Sequence, residues 1–259
     1  MARSKLKAIV GRLAGTRPEP AAASDVVAPP PPSTGTLEPA VAELLVEHPK
    51  LVDNVRILGE QLGQAGSIAH GQPADALGRP LPWYTYPAIE YLERLALDGA
   101  RIFEFGCGNS TRYWCRRGAR VTAVEHSREW FDELEASVES AELLYRPDRD
   151  SYVSALRESG ASFDVIVVDG VWRERCVDEA IARAAPHTII ILDNSDWYHE
   201  AGARLRTAGF LDISFSGFGP CNNYTWTTSL FFGPSKAQPP VVRPPVPVGG
   251  IQAIRTDLW

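Results

Sequence analysis

Three small groups of residues in this chain have the types and spacing to do chemistry. The first is Glu104-Phe105-Gly106-Cys107-Gly108, followed by Asn109 and Ser110. Its glycines let the backbone approach a ligand, and an acid stands two residues before the turn. The second is Glu125, which ends the apolar run Val121-Thr122-Ala123-Val124. An acid there can accept two hydrogen bonds from a ribose. The third is Asp169-Gly170 with Asp193-Asn194, each pair closing an apolar run. Oxygen-bearing side chains at two neighbouring strand ends can hold one hard cation such as Mg²⁺. The alternative is that Asp169 only positions a ligand and Asp193-Asn194 only caps the next helix.

The turn discriminates between ligand classes. A dinucleotide site needs a third glycine, but Asn109, Ser110 and Thr111 follow Gly108. A carboxylate at Glu104 repels a pyrophosphate and suits a cofactor bearing an ammonium or sulfonium group. His126 follows Glu125 directly and is placed beside a flat base rather than in the chemistry. For a general base the candidates are Asp169, Asp196 and His199, the last following Trp197-Tyr198 near a helix start.

These residues need a frame, and the sequence supplies one. Short apolar runs alternate with helical patterns: strands at 102–105, 121–124, 142–146, 163–168 and 188–192, with helices at 88–97, 126–137, 152–158, 174–185 and 196–208. Asp150-Ser151 reads as an N-cap pair. Two further strands, 211–216 and 225–232, flank a Gly/Pro/Asn loop. The expected fold is α/β: a Rossmann-like, doubly wound, mostly parallel seven-stranded sheet with a C-terminal antiparallel hairpin. Ligands in such sheets bind at the carboxyl ends of the strands, where Glu104, Glu125, Asp150, Asp169, Asp193 and Asn194 should converge.

Together these features resemble the class I S-adenosylmethionine-dependent methyltransferases. The first motif of that family, E/D-x-G-x-G, is matched by Glu104 to Gly108, and its ribose-binding acid by Glu125. A polar residue after the third strand meets the adenine, for which Asp150 and Ser151 are the candidates. The terminal hairpin is also a mark of that fold. The resemblance spans about Trp83 to Phe232 and implies S-adenosylmethionine as cofactor. Tyr84, Cys107, Asn109, Ser110, His126, Asp169 and Gly170 would complete its contacts. An Asp at one strand end and Asp-Asn at the next resembles the metal site of catechol O-methyltransferase and related small-molecule and sugar O-methyltransferases. That resemblance implies Asp169, Asp193 and Asn194 as Mg²⁺ ligands, the metal lowering the pKa of an acceptor hydroxyl. Catechol enzymes carry a lysine one helical turn after the first Asp. Here Trp172 and Arg173 stand there, so a lysine base is missing.

The acceptor side is read from aromatic loops, with Trp172, Trp197, Tyr198 and Tyr224 as contacts. Aromatic faces beside Asn222 and Asn223 suit a sugar or glycan ring, or a phenol. The expected activity is O-methylation of a sugar, glycan or other small molecule. The alternatives are a nicotinamide-dependent oxidoreductase, disfavoured by the missing glycine and the hairpin, and a non-catalytic scaffold of the same fold.

Bulk properties set the remaining bounds. A net charge of −6 with no basic stripe disfavours nucleic acid. Cys107, Cys115, Cys176 and Cys221 lack paired metal spacing and read as reduced thiols, giving a cytoplasmic expectation. No apolar run is long enough for a membrane span, and the N-terminal apolar stretch is too short for a signal peptide. The expected organisation is a disordered Pro/Ala-rich tail at 1–36, a helical cap or lid at 37–79, the methyltransferase-like domain at 80–233, and a Pro-rich tail at 234–259. That last tail reads as disordered or as draped over the second subunit of a homodimer, with Ile251, Ile254 and Trp259 as docking residues.

Overall fold

The computed structural model describes residues 38–138, 140–236, 238–243 and 247–249. The segment expected to be disordered at 1–36, and Ile251, Ile254 and Trp259, lie outside the described residues. Seven strands form the sheet: β1 (Arg101–Phe105), β2 (Arg120–Glu125), β3 (Ala141–Tyr145), β4 (Val165–Val168), β5 (Ile189–Asp193), β6 (Leu211–Gly217) and β7 (Trp226–Phe232). Their order is β3-β2-β1-β4-β5-β7-β6. Strands β1 to β5 pair in parallel, and β7 runs antiparallel between β5 and β6. The expected doubly wound sheet with its terminal hairpin is therefore present.

Local sequence explains the layers. Strands β4 (VIVV) and β5 (IIILD) are buried along their whole length, as central parallel strands must be. The edge strand β6 alternates polar and apolar residues and stays largely accessible. Side chains of the sheet divide strictly by parity. Ile102, Val121, Ala123, Val165, Val167, Ile189 and Ile191 pack with Tyr84, Leu92 and Trp114 on one face. Phe103, Phe105, Val124, Ile166, Val168, Ile190 and Leu192 pack with Tyr152, Val177 and Leu205 on the other.

Nine α-helices are described: α1 (Pro39–Glu47), α2 (Pro49–Arg56), α3 (Gln64–His70), α4 (Tyr86–Leu92), α5 (Asn109–Arg116), α6 (Arg128–Glu135), α7 (Arg149–Glu158), α8 (Arg173–Arg183) and α9 (His199–Thr207). Several boundaries differ from the sequence reading. Helix α4 starts earlier because Pro87 fits its first turn, and it stops at Leu92. Helix α7 is capped by Asp148, whose carboxylate accepts from Ser151 N at 2.9 Å; the Asp150-Ser151 cap is corrected. Helix α9 begins only at His199, because Asn194 is left-handed (φ 55°) and the chain turns before it.

Residues 38–79 form α1, α2, a π-helical turn at Ile57–Gln61 and α3. Helices α1 and α2 bury no residue. Of α3, Gln64 and Ser67 are buried; Gln64 Nε2 donates to Gly219 O and Asn222 O, clasping the β6–β7 loop. The Pro-rich stretch near 240 pairs with its own chain, Ala96 N donating to Pro240 O and Val242 N to Arg94 O. No described helix is long and apolar enough to cross a membrane.

The chain adds β2 and β3 on one side of β1, then returns to place β4 on the other. The crevice therefore opens beyond the carboxyl ends of β1 and β4. There two backbones meet. A Cβ on Gly106 (φ +97°) would lie 2.8 Å from Gly170 Cα, and one on Gly170 would lie 2.9 Å from Phe105 O. Gly106→Ala should therefore lower stability by about 2–4 kcal/mol, combining a disfavoured φ with a backbone clash. Urea unfolding measures this; an alanine chain as stable as wild type would mean the turn has room to relax.

Candidate functional site

The glycine turn is held from below by its own acid. Alternation along β1 sends Glu104 into the face covered by α5, where it is fully buried. Thr111 Oγ1 donates to Glu104 Oε2 at 2.6 Å, and Trp114 Nε1 donates to Oε1 at 2.9 Å. Gly108 N in turn donates to Thr111 Oγ1 at 3.1 Å, so the carboxyl, the helix start and the turn form one chain of bonds. Burial pushes the Glu104 carboxyl up to about 7, against the bonds from Thr111, Ser110 and Trp114. Both Glu104 oxygens accept from side chains of α5, so the carboxyl is held beneath the turn. Above the turn there is space, since a Cβ on Gly108 would meet nothing within 4 Å. Asn109 Nδ2 donates to Pro73 O at 2.9 Å and anchors the preceding segment to the turn.

Glu125 closes β2 with its carboxylate across the turn. Cys107 N donates to Oε2 at 3.1 Å; His126 N and Ser127 N donate to Oε1 at 2.8 and 2.7 Å. His126 Nδ1 lies 2.8 Å from the same Oε1. Oε1 is thus saturated, while Oε2 keeps acceptor capacity for a ligand hydroxyl. Beside it, His126, Tyr152 and Trp172 form an edge-to-face triangle with centroids 5.3 to 6.2 Å apart. Trp172 therefore packs with His126 and Tyr152. The cause is its left-handed backbone (φ 52°), just before α8. Asp150 ion-pairs with Arg149 and its side chain is 84% exposed, while Ser151 Oγ donates to Asp148. These bonds turn the expected adenine contacts Asp150 and Ser151 toward solvent and the helix cap.

The third group converges on a residue that the sequence reading named only as a missing lysine. Arg173 Nε donates to Gly170 O at 2.9 Å; one terminal nitrogen donates to Asp193 O and Asn194 Oδ1, the other to Asp169 O and Asp169 Oδ1, all within 2.5–3.0 Å. Its guanidinium also stands 5.0 Å over the Tyr198 ring. Tyr198 thus supports Arg173 rather than opening onto an acceptor. Asp193 is buried, and its Oδ1 accepts from Trp226 Nε1 at 3.0 Å and Thr228 Oγ1 at 2.5 Å. Burial raises both the Asp169 and Asp193 carboxyls, with Arg173 opposing. Asp169 keeps 23% side-chain exposure and is the acid that reaches the crevice.

These residues do not fit a divalent cation. Their oxygens already serve a guanidinium, an indole and a hydroxyl, and among the described residues no cluster of three His, Cys, Asp or Glu side chains is suited to a metal. The expected Mg²⁺ set of Asp169, Asp193 and Asn194 finds no support in this arrangement. Between Asp169, Glu104 and Asp193 lies Tyr84. Its buried hydroxyl has no hydrogen-bond partner, and burial with those acids keeps it protonated. A donor without an acceptor here is a place for a bound polar group. The Tyr152 hydroxyl, beside Gly170, is likewise unpartnered.

Asp196 and His199 also line a second cavity. With Ser195, Ser214, Ser216, Thr227 and Ser229 they enclose about 260 Å³ against α9. Parity along β7 sets its wall: Trp226 and Thr228 face Asp193, while Thr227 and Ser229 face the other way. Of the expected acceptor aromatics, Trp197 (49% exposed) and Tyr224 form a row with Trp226, centroids 6.3 and 6.0 Å apart, leading down to Asp193. A larger groove of about 760 Å³ lies at the opposite strand ends, against Arg101, Arg120 and Glu142, and none of the three groups lines it.

No protein-family model matches the chain, and no curated protein matches it. Among solved structures it is similar to a SAM-dependent O-methyltransferase from Thermotoga maritima: TM-score 0.43, 14% identity, covering 59% of this chain and 67% of that one. It is also similar to the N-methyltransferase NodS from Bradyrhizobium japonicum WM9 in complex with S-adenosyl-L-homocysteine: TM-score 0.42, 16% identity, 56% and 84% covered. A third is spermidine synthase from Thermotoga maritima: TM-score 0.45, 13% identity, 56% and 55% covered. Likeness at this level concerns the fold.

The buried Glu104 makes stability depend on pH. The folded chain holds this proton more tightly than the unfolded chain, so the contribution is full below about pH 4.5 and is lost as pH rises through about 7. The loss is about 3 kcal/mol at its limit. Glu104→Gln should flatten the fall in stability between those pH values in urea titrations. A slope equal to that of wild type would place the proton elsewhere.

Proposed function

We propose that this chain is an S-adenosylmethionine-dependent methyltransferase that methylates a hydroxyl on a sugar, glycan or phenolic small molecule. The observation that carries the reading is the paired arrangement at the ends of β1 and β2. There, open space above Gly108 adjoins a Glu125 carboxylate that retains one acceptor site. That pair suits a ribose beside a closely approaching backbone. It lacks the third glycine that a pyrophosphate would need.

Each neighbouring feature has a place in this reading. The triangle of His126, Tyr152 and Trp172 offers apolar ring edges and faces for a purine. The unpartnered Tyr84 hydroxyl offers a donor to the polar end of the cofactor. When bound, S-adenosylmethionine supplies an electrophilic methyl group on a sulfonium. Asp169, with 23% of its side chain exposed, would hold the acceptor hydroxyl and take its proton as the methyl group is transferred. Trp197 and Tyr224 flank the approach to it and pack the acceptor ring.

Calorimetry with S-adenosylhomocysteine tests the reading. Wild type should bind it, and NADH should not compete. Glu125→Gln should weaken binding about 10–100-fold, the loss of a charge-assisted hydrogen bond. Absence of any S-adenosylhomocysteine binding by the folded wild-type chain would end this reading, and NADH binding in its place would favour an oxidoreductase.

A further inference from the structure

The acids at the ends of β4 and β5 form an arrangement that ordinarily requires an external cation. Two carboxylates and an amide oxygen face one another across neighbouring strands. Here the positive charge comes from the chain itself. Arg173 stands one helical turn after Asp169 and points back over the strand ends. Its bonds reach both strands: Gly170 O, Asp169 O and Asp169 Oδ1 beyond β4, Asp193 O at the end of β5, and Asn194 Oδ1 just after it. All five N–H groups of a guanidinium can be used in this fork, which an ammonium could not match. The side chain is only 11% exposed and lies over the Tyr198 ring, so its position is set from above as well.

We infer that Arg173 is the built-in cation of this site: it occupies the place that a divalent ion would need and positions Asp169 at the crevice. A guanidinium and a dication cannot share these oxygens, because their mutual repulsion would fall in a poorly solvated setting. The arrangement also differs from a fortuitous surface ion pair. Three of its five acceptors are backbone carbonyls at or just beyond strand ends, and Asn194 adopts a left-handed backbone (φ 55°) beside them. Arg173 is thus a positioning residue: it touches Asp169 and fixes which oxygen is left for a ligand. Among the described residues only Oδ1 of Asp169 is engaged by Arg173, which leaves Oδ2 for the crevice. The inference concerns this chain's own residues and does not depend on the identity of the cofactor.

The test uses the full chain and Mn²⁺ as the probe, followed by electron paramagnetic resonance, with circular dichroism to check folding. Wild type should leave Mn²⁺ free. Arg173→Ala should take up one Mn²⁺, with affinity at least an order of magnitude above wild type, and adding Asp169→Asn should abolish it. Arg173→Lys, which keeps a positive charge, should stay without Mn²⁺. Should Arg173→Ala not fold, Arg173→Gln serves in its place, and the wild-type titration decides by itself. Mn²⁺ bound by wild type and lost in Asp169→Asn would overturn the inference; so would a folded Arg173→Ala chain that gains no Mn²⁺. Calorimetry with S-adenosylhomocysteine on the same samples keeps this outcome separate from that of the cofactor reading.

Discussion

The close passage of the Gly106 and Gly170 backbones is the constraint on which the site depends. It brings the ends of β1 and β4 together with no side chain between them. Because the chain reverses direction across the sheet at this point, no covering helix fills the space beyond the strand ends. Any larger residue at either position would push the turn away from Asp169 and open the crevice on its wrong side. The turn then sets everything attached to it. Cys107 N reaches Glu125 on one side, and Gly108 N reaches Thr111 and, through it, Glu104 below.

The second constraint is charge. Three buried or half-buried acids, Glu104, Asp193 and Asp169, surround a region with one buried cation, Arg173. Like charges in a poorly solvated region repel strongly: burial raises the carboxyls of both Glu104 and Asp193, and the Asp169 charge raises them further. The structure resolves the conflict by giving each acid a different environment. Glu104 is sealed under Trp114 and stays close to its protonation midpoint at neutral pH. Asp193 is sealed against Trp226 and Thr228 and favours its protonated form. Asp169 alone is paired with Arg173 and partly open. Three residues of one chemical type therefore have three separate roles.

Much of this frame was legible in the sequence, and the reasons are physical. Continuous apolar runs such as Val165–Val168 and Ile189–Leu192 can only be central parallel strands, and the hairpin-like end could be read from its loop. The positions of Gly106, Glu125 and Asp169 followed from strand ends. What parity along a strand does not reveal is which face carries the donors. Alternation with Ile102 sends Glu104 to the side of Thr111 and Trp114. The same ambiguity holds for Asp196 and His199, which line a cavity beside Thr227 and Ser229 of β7. The contacts of Trp172 are not legible either, because a left-handed backbone at a bulky residue has no sequence signal. Arg173 was visible at i+4 from Asp169, but a surface ion pair and a five-bonded hub look alike until β5 is in place.

The division of labour across the crevice follows from these placements. On the β2–β3 side lie Glu125, anchored through Oε1, and three rings packed edge to face, a rigid wall already held by backbone bonds. On the β5–β7 side lie Trp197 and Tyr224, with Trp197 half exposed and the row supported only at its base, where Trp226 bonds to Asp193. A rigid wall suits one invariant ligand, and an open aromatic row tolerates variation in shape. The loop carrying Tyr224 is clasped by Gln64 from α3, while Pro73 in the same segment is held by Asn109 at the glycine turn. The segment before the sheet therefore ties the variable side, through Gln64, to the glycine turn, through Pro73, on which the rest is built.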